Sequence, residues 1–155
     1  MKRAARITFL LLPVLFVAAC TQRASDSGAS ATGTHDAESA IWFGGSYEDG
    51  LAQARASSKL MFIDFNTSWC PPCRKLEKET FSQPEVQTEL ARMVSMTIDA
   101  ESPAGVPLAR KYRISGYPEM IVLEPDGKEL GRISGFQPPD EFLARIAKIR
   151  ERASR

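Results

Sequence analysis

Cys70 and Cys73 bracket two prolines in the run Trp69-Cys70-Pro71-Pro72-Cys73. The apolar stretch Leu60 to Phe65 precedes this run, and a helix-compatible segment follows it. At such a junction the first cysteine sits at a helix N-terminus, where unpaired N–H groups and the helix dipole favour a thiolate. The second lies one turn along and can swing back to close a disulfide. That spacing assigns Cys70 as nucleophile and Cys73 as resolving thiol, with exchange running through a mixed disulfide. Neither Pro71 nor Pro72 carries an N–H, so the donors of the first turn begin at Cys73. Pro72 biases Pro71 away from the α region, which predicts a helix starting at Pro72. A moderately stabilised thiolate is expected, and with it a pair nearer a reductant than a strong oxidant.

Competing uses of the two thiols are weakened by what surrounds them. Half of a zinc site would need a second pair of ligands, and His35 is the single histidine. Copper delivery would also want a histidine inside the domain. A purely structural disulfide across two residues gains little chain entropy. No metal or cofactor is expected. Lys and Arg number 20 against 19 acidic residues, without long runs of one sign, which argues against nucleic acid.

The third cysteine, Cys20, ends a different pattern. Lys2, Arg3 and Arg6 precede the apolar stretch Ile7 to Ala19, too short and too interrupted by Pro13 for the roughly 20 residues of a membrane span. Residues 1–19 read as a signal peptide. Val17-Ala18-Ala19-Cys20 resembles the lipobox of bacterial lipoproteins, which implies acylation of Cys20 and a lipid anchor. Thr21 in the next position resembles members sent to the outer membrane. Residues 20–40, rich in Ser, Ala, Thr, Gly and Asp, are expected to be a flexible tether, with His35 inside it. Residues 41–155 form the globular domain.

Within that domain, Ser46 to Asp49 reads as a helix start, carried by Leu51 and Ala54 to Ser57. Leu60–Phe65 and Met93–Ile98 read as core strands. Helices are expected from Pro72 through Phe81, from Pro84 to about Ala91, and over Ser102–Arg113 with an interruption or restart at Pro107. Glu119–Leu123 and Glu129–Ser134 flank the turn signal Pro125-Asp126-Gly127-Lys128 and make a hairpin. Pro138-Pro139-Asp140-Glu141 opens a last helix with Phe142, Leu143, Ile146 and Ile149 inward. The order is β-α-β-α-β-β-α behind one leading helix.

Asp64-Phe65 ahead of the cysteine motif, Gly116-Tyr117-Pro118 downstream, and a Gly-Phe pair after the hairpin resemble the thioredoxin-like family. The run Cys73 to Val86 is closer still to the C-terminal periplasmic domain of the disulfide reductase DsbD. The resemblance implies a three-layer α/β/α fold around a central mixed sheet of four or five strands. It implies a carboxyl, Asp64, behind the active site, with a pKa raised by burial so that it exchanges a proton with Cys73. It places a second acidic group, Glu77, near the same site. Trp69 would flank the nucleophile, and Tyr117-Pro118 would be a cis-proline loop pairing with an extended substrate strand.

Three departures bear on partner choice. Ser95 stands where thioredoxin has a lysine, Tyr117 is bulkier than usual, and Glu119 replaces the common threonine. DsbD's membrane-embedded part lies outside the resemblance, so electrons are expected to arrive from a DsbD-like membrane reductase. The expectation is an envelope reductase or electron relay, facing the periplasm and acting on proteins with disulfides or thiols. Its competitors are a disulfide oxidase or isomerase, and a non-catalytic binding or chaperone module on the same fold.

Overall fold

The computed structural model describes residues 41–153; the expected signal peptide, the expected tether and Cys20 lie outside the described residues. The first helix, α1 (Tyr47–Ser57), opens with a capping box. The Ser46 hydroxyl accepts from the Asp49 N–H, and the Asp49 carboxylate accepts from the Ser46 N–H, so two orphan donors are satisfied at once. β1 (Met61–Asn66), β2 (Val94–Asp99), β3 (Glu119–Leu123) and β4 (Glu129–Ser134) form one sheet in the order β2-β1-β3-β4. β1 and β2 run parallel, while β3 is antiparallel to both β1 and β4. The sheet is thus mixed and four-stranded, and Trp42 adds a single parallel bridge to Ser95.

Side-chain alternation along the strands splits the core into two faces. Met61, Ile63, Phe65, Met96 and Ile121 pack with Tyr47, Leu51 and Tyr112 on one face, under α1 and α4 (Gly105–Lys111). Phe62, Met120, Val122 and Ile133 pack on the other with Leu76, Phe81, Leu90, Phe142 and Ile146. Those partners come from α2 (Pro71–Leu76), the π-helical segment Glu77–Phe81, α3 (Pro84–Leu90) and α5 (Pro139–Ala153). Phe62, Phe81 and Phe142 meet edge to face with ring centroids 5.7–6.1 Å apart, a geometry that aromatic quadrupoles favour. Leu143 is half-buried and packs at the edge of this cluster, beside the buried Phe142, Ile146 and Ile149 of the last helix.

Three expectations about elements are corrected. The helix after the cysteine motif begins at Pro71, not Pro72, with Cys70 as its N-cap; proline's fixed φ suits the first helical position. It does not run as one α-helix to Phe81, because Glu77–Phe81 winds as a π-helix. Buried Thr80 in that segment donates its hydroxyl to the Gln137 carbonyl at 2.6 Å, tying the wider turn to the entry of α5. The segment around Pro107 is a single helix, α4, with Pro107 inside its first turn, where a missing N–H costs nothing.

Candidate functional site

β1 delivers the chain to the turn that carries the two cysteines. Cys70 and Cys73 are disulfide-bonded, and both are buried. The Cys73 N–H, the first donor after the two prolines, points to Cys70 Sγ at 3.2 Å. That single contact realises the arrangement expected from the motif: a helix N-terminal donor aimed at the first sulfur. The Arg74 guanidinium donates to the Ser68 carbonyl at 3.0 Å and fastens the turn to the helix it opens.

Behind the disulfide lies a cleft of about 370 Å³ lined by Asp64, Asn66, Thr67, Cys73, Arg74 and Glu77, with Trp42, Phe81 and Thr97 also on its walls. Asp64 takes the Phe62 face of β1, so its carboxyl is directed into a core layer and is 6% exposed. Burial raises its pKa to about 6; the hydrogen bond from Asn66 pulls the other way, and the nearby Glu77 charge adds to the rise. Asp64 Oδ1 and Thr67 Oγ1 are buried without a hydrogen-bond partner. Ser95, in place of a lysine that would offset this carboxyl, is buried and donates to the Leu90 carbonyl.

On the outer side, Trp69 is 59% exposed, the one large apolar residue in the open among the described residues. Its indole N–H donates to Glu101 Oε2 at 2.9 Å, and its ring meets Tyr117 edge-on at 6.0 Å. The Tyr117–Pro118 peptide is cis. Glu119, next along, is buried in an ion pair with Arg132 at 2.9 Å and accepts from the Ser134 hydroxyl.

The structure therefore gathers Cys70, Cys73, Asp64 and Glu77 around one turn and one cleft, and pairs Trp69 with Tyr117 beside cis Pro118. Cys20 lies outside the described residues. Three residues of the site were not singled out from sequence. Asn66 could have been, since period-2 alternation puts it on the face of Asp64. Thr97 could have been found only through the strand register, and Glu101 sits in a loop with no local signal.

A cysteine pair capping a helix beyond an inner strand of a mixed sheet, with a cis-proline at the start of the neighbouring antiparallel strand, defines a thioredoxin-type redox protein. The chain belongs to the thioredoxin-like domain family, whose model matches residues 47–150. It is 30% identical over 127 residues to the thiol:disulfide interchange protein DsbD of Pseudomonas fluorescens, covering 79% of this chain and 22% of that protein. The chain spans about a fifth of the length of such relatives. A thioredoxin of Thermus thermophilus superposes with a TM-score of 0.63 at 32% identity, covering 70% of this chain and 85% of that one. The reduced C-terminal domain of Neisseria meningitidis DsbD superposes at 0.56 with 25% identity, covering 65% and 91%.

Proposed function

We propose that the chain is a protein-disulfide reductase or electron relay of the bacterial cell envelope, held to a membrane through Cys20 and facing the periplasm. The observation that carries the redox reading is the Cys70–Cys73 disulfide at the N-terminus of α2, with the Cys73 N–H on Cys70 Sγ. In the reduced state that N–H and the helix dipole favour the Cys70 thiolate. The thiolate attacks a substrate disulfide, one substrate sulfur leaves, and a mixed disulfide to Cys70 forms. Asp64 then takes the Cys73 proton; burial holds its pKa near neutrality, so it accepts a proton and gives it up again. The Cys73 thiolate attacks Cys70 Sγ, the pair closes, and the second substrate sulfur leaves. Glu77 sets the charge around Asp64. Trp69, Tyr117 and Pro118 form the surface on which an extended substrate segment lies.

Similarity to DsbD supports an upstream membrane reductase of that kind as electron donor and envelope proteins with disulfides as acceptors. The lipobox-like Val17-Ala18-Ala19-Cys20 and Thr21 support an outer-membrane anchor. In this reading residues 1–19 are removed, 20–40 tether, and 41–155 carry the chemistry.

Insulin reduction with dithiothreitol as donor tests the activity, and equilibration with glutathione tests its direction. The wild type precipitates the insulin B chain and Cys70→Ser does not. Its potential falls toward the reducing end of the thioredoxin-like range. Equal rates for wild type and Cys70→Ser would leave a binding module, and a strongly oxidising potential would leave an oxidase.

A further inference from the structure

Asn66 has no part in the proposed reaction, yet it makes the only hydrogen bond to the Asp64 carboxyl among the described residues. We propose that Asn66 is a positioning residue for thiol exchange: its amide clamps one oxygen of the Asp64 carboxyl, leaving the other as the atom that receives the Cys73 proton. The inference rests on Asp64 serving Cys73.

The geometry uses both hydrogens of one amide. Asn66 Nδ2 donates to Asp64 Oδ2 at 2.9 Å and to Thr97 Oγ1 at 2.6 Å. An ionised carboxylate only accepts, so the NH2 end of the amide must face it. Thr97 sits directly across from Asp64 in the parallel β1–β2 pairing, so the amide is fastened between two strands rather than hanging from one. With Oδ2 engaged, Oδ1 is the buried oxygen without a partner. A proton arriving on Oδ2 would weaken the bond it already accepts. On Oδ1 a proton disturbs no existing bond.

Charged and polar groups from the packed elements line the cleft that this carboxyl shares. Cys73, Arg74 and Glu77 come from the helix and Thr67 from the turn, all on the walls of the same cleft. β2 contributes Thr97, and β3 contributes Met120, the apolar register partner of Asp64. Arg74 is committed to the Ser68 carbonyl, and Glu77 opposes the carboxylate. Asn66 is therefore the donor that favours the ionised form of Asp64.

During resolution, Cys73 passes its proton to Asp64 Oδ1 and its sulfur attacks Cys70 Sγ. The bond between Cys70 and the substrate sulfur breaks as the Cys70–Cys73 bond forms. The substrate leaves as a thiolate, which takes a proton from water. Over the whole exchange the cysteine pair gives up two electrons and the substrate disulfide gains two.

Two readouts on the full chain test the assignment. Carboxyl 13C NMR follows the titration of Asp64 in the oxidised protein. Stopped-flow absorbance follows the two thiol releases when the reduced protein meets 5,5′-dithiobis(2-nitrobenzoate), the second release reporting Cys73. Asn66→Ala should move the Asp64 titration up by about one pH unit, a tenfold change in proton affinity. The acid limb of the second release should move with it, leaving that phase about tenfold slower below pH 6, with the first release unchanged. Asn66→Asp keeps the shape, swaps the donor for an acceptor, should shift both further in the same direction, and carries the test alone if alanine unfolds the chain. An unmoved Asp64 titration in these variants overturns the clamp while leaving the role of Asp64 intact. A titration that moves without the second release also overturns it, reducing Asn66 to a structural bond. Separately, an acid limb unchanged in Asp64→Asn removes Asp64 from the reaction, and the proposal with it.

Discussion

At the residue scale, the tension in this site is a carboxyl buried where an apolar side chain would pack better. Asp64 titrates near pH 6 in the folded protein against 3.8 for a free side chain, chiefly because burial penalises its charge. Since its folded pKa lies above the unfolded one, the folded state binds the proton more tightly between those values. Stability is therefore lost as pH rises from about 3.8 through about 6, and the loss is complete above that. The shift corresponds to about 3 kcal/mol. Asp64→Asn should recover much of it at pH 8 and almost none at pH 3.5. Urea denaturation at the two pH values measures this, and a gain independent of pH would mean that the carboxyl is not the source. Asp64 was legible from its distance to Cys70 and from family resemblance. Alternation puts Asn66 on the face of Asp64, but its second partner was not legible, because only the register with Thr97 supplies it.

At the element scale, periodicity and turn chemistry carried most of the fold. Apolar runs located β1, β2 and β3, and Pro-Asp-Gly-Lys located the β3–β4 hairpin. What escaped was winding. Nothing in Glu77-Lys78-Glu79-Thr80-Phe81 distinguishes a π-turn from an α-turn locally, since the Thr80–Gln137 bond that accompanies it is made 57 residues away. The hairpin also carries an ion pair invisible to pattern reading. Arg132 on β4 reaches Glu119 at 2.9 Å and Glu129 at 2.6 Å, and it donates to the Tyr112 carbonyl. Glu119 directly follows cis Pro118 and its side chain is only 6% exposed. Arg132→Met keeps the aliphatic stem but strands that buried charge. Because Arg132 is itself about a third exposed, water screens part of the pair. The expected destabilisation is about 2 kcal/mol in urea unfolding at pH 7, and it should shrink for the double variant with Glu119→Gln. A loss in the double variant equal to the sum of the two single losses would show that the pair is not coupled.

At the scale of the whole molecule, one cysteine pair carries the redox chemistry, and the proposed function gives Cys20 the task of placement. The family model and the described fold cover the first task; the second rests on the sequence around Cys20. Acylation predicts that the mature chain partitions with membranes and that its N-terminal peptide carries the mass of a lipidated cysteine. Cys20→Ser should release the protein into the soluble fraction with its insulin-reducing activity intact. Retention of that variant in membranes would remove the anchor from the account.

Trapping separates the nucleophilic role proposed for Cys70 from the resolving role proposed for Cys73. Each single Cys→Ser variant of the full chain is mixed with an excess of a disulfide-bonded substrate, and covalent adducts are counted by mass spectrometry. The account predicts that Cys73→Ser accumulates a stable mixed disulfide mapped to Cys70, while Cys70→Ser remains unmodified at the same pH. Adducts on Cys73 in the Cys70→Ser chain, formed at a comparable rate, would contradict it.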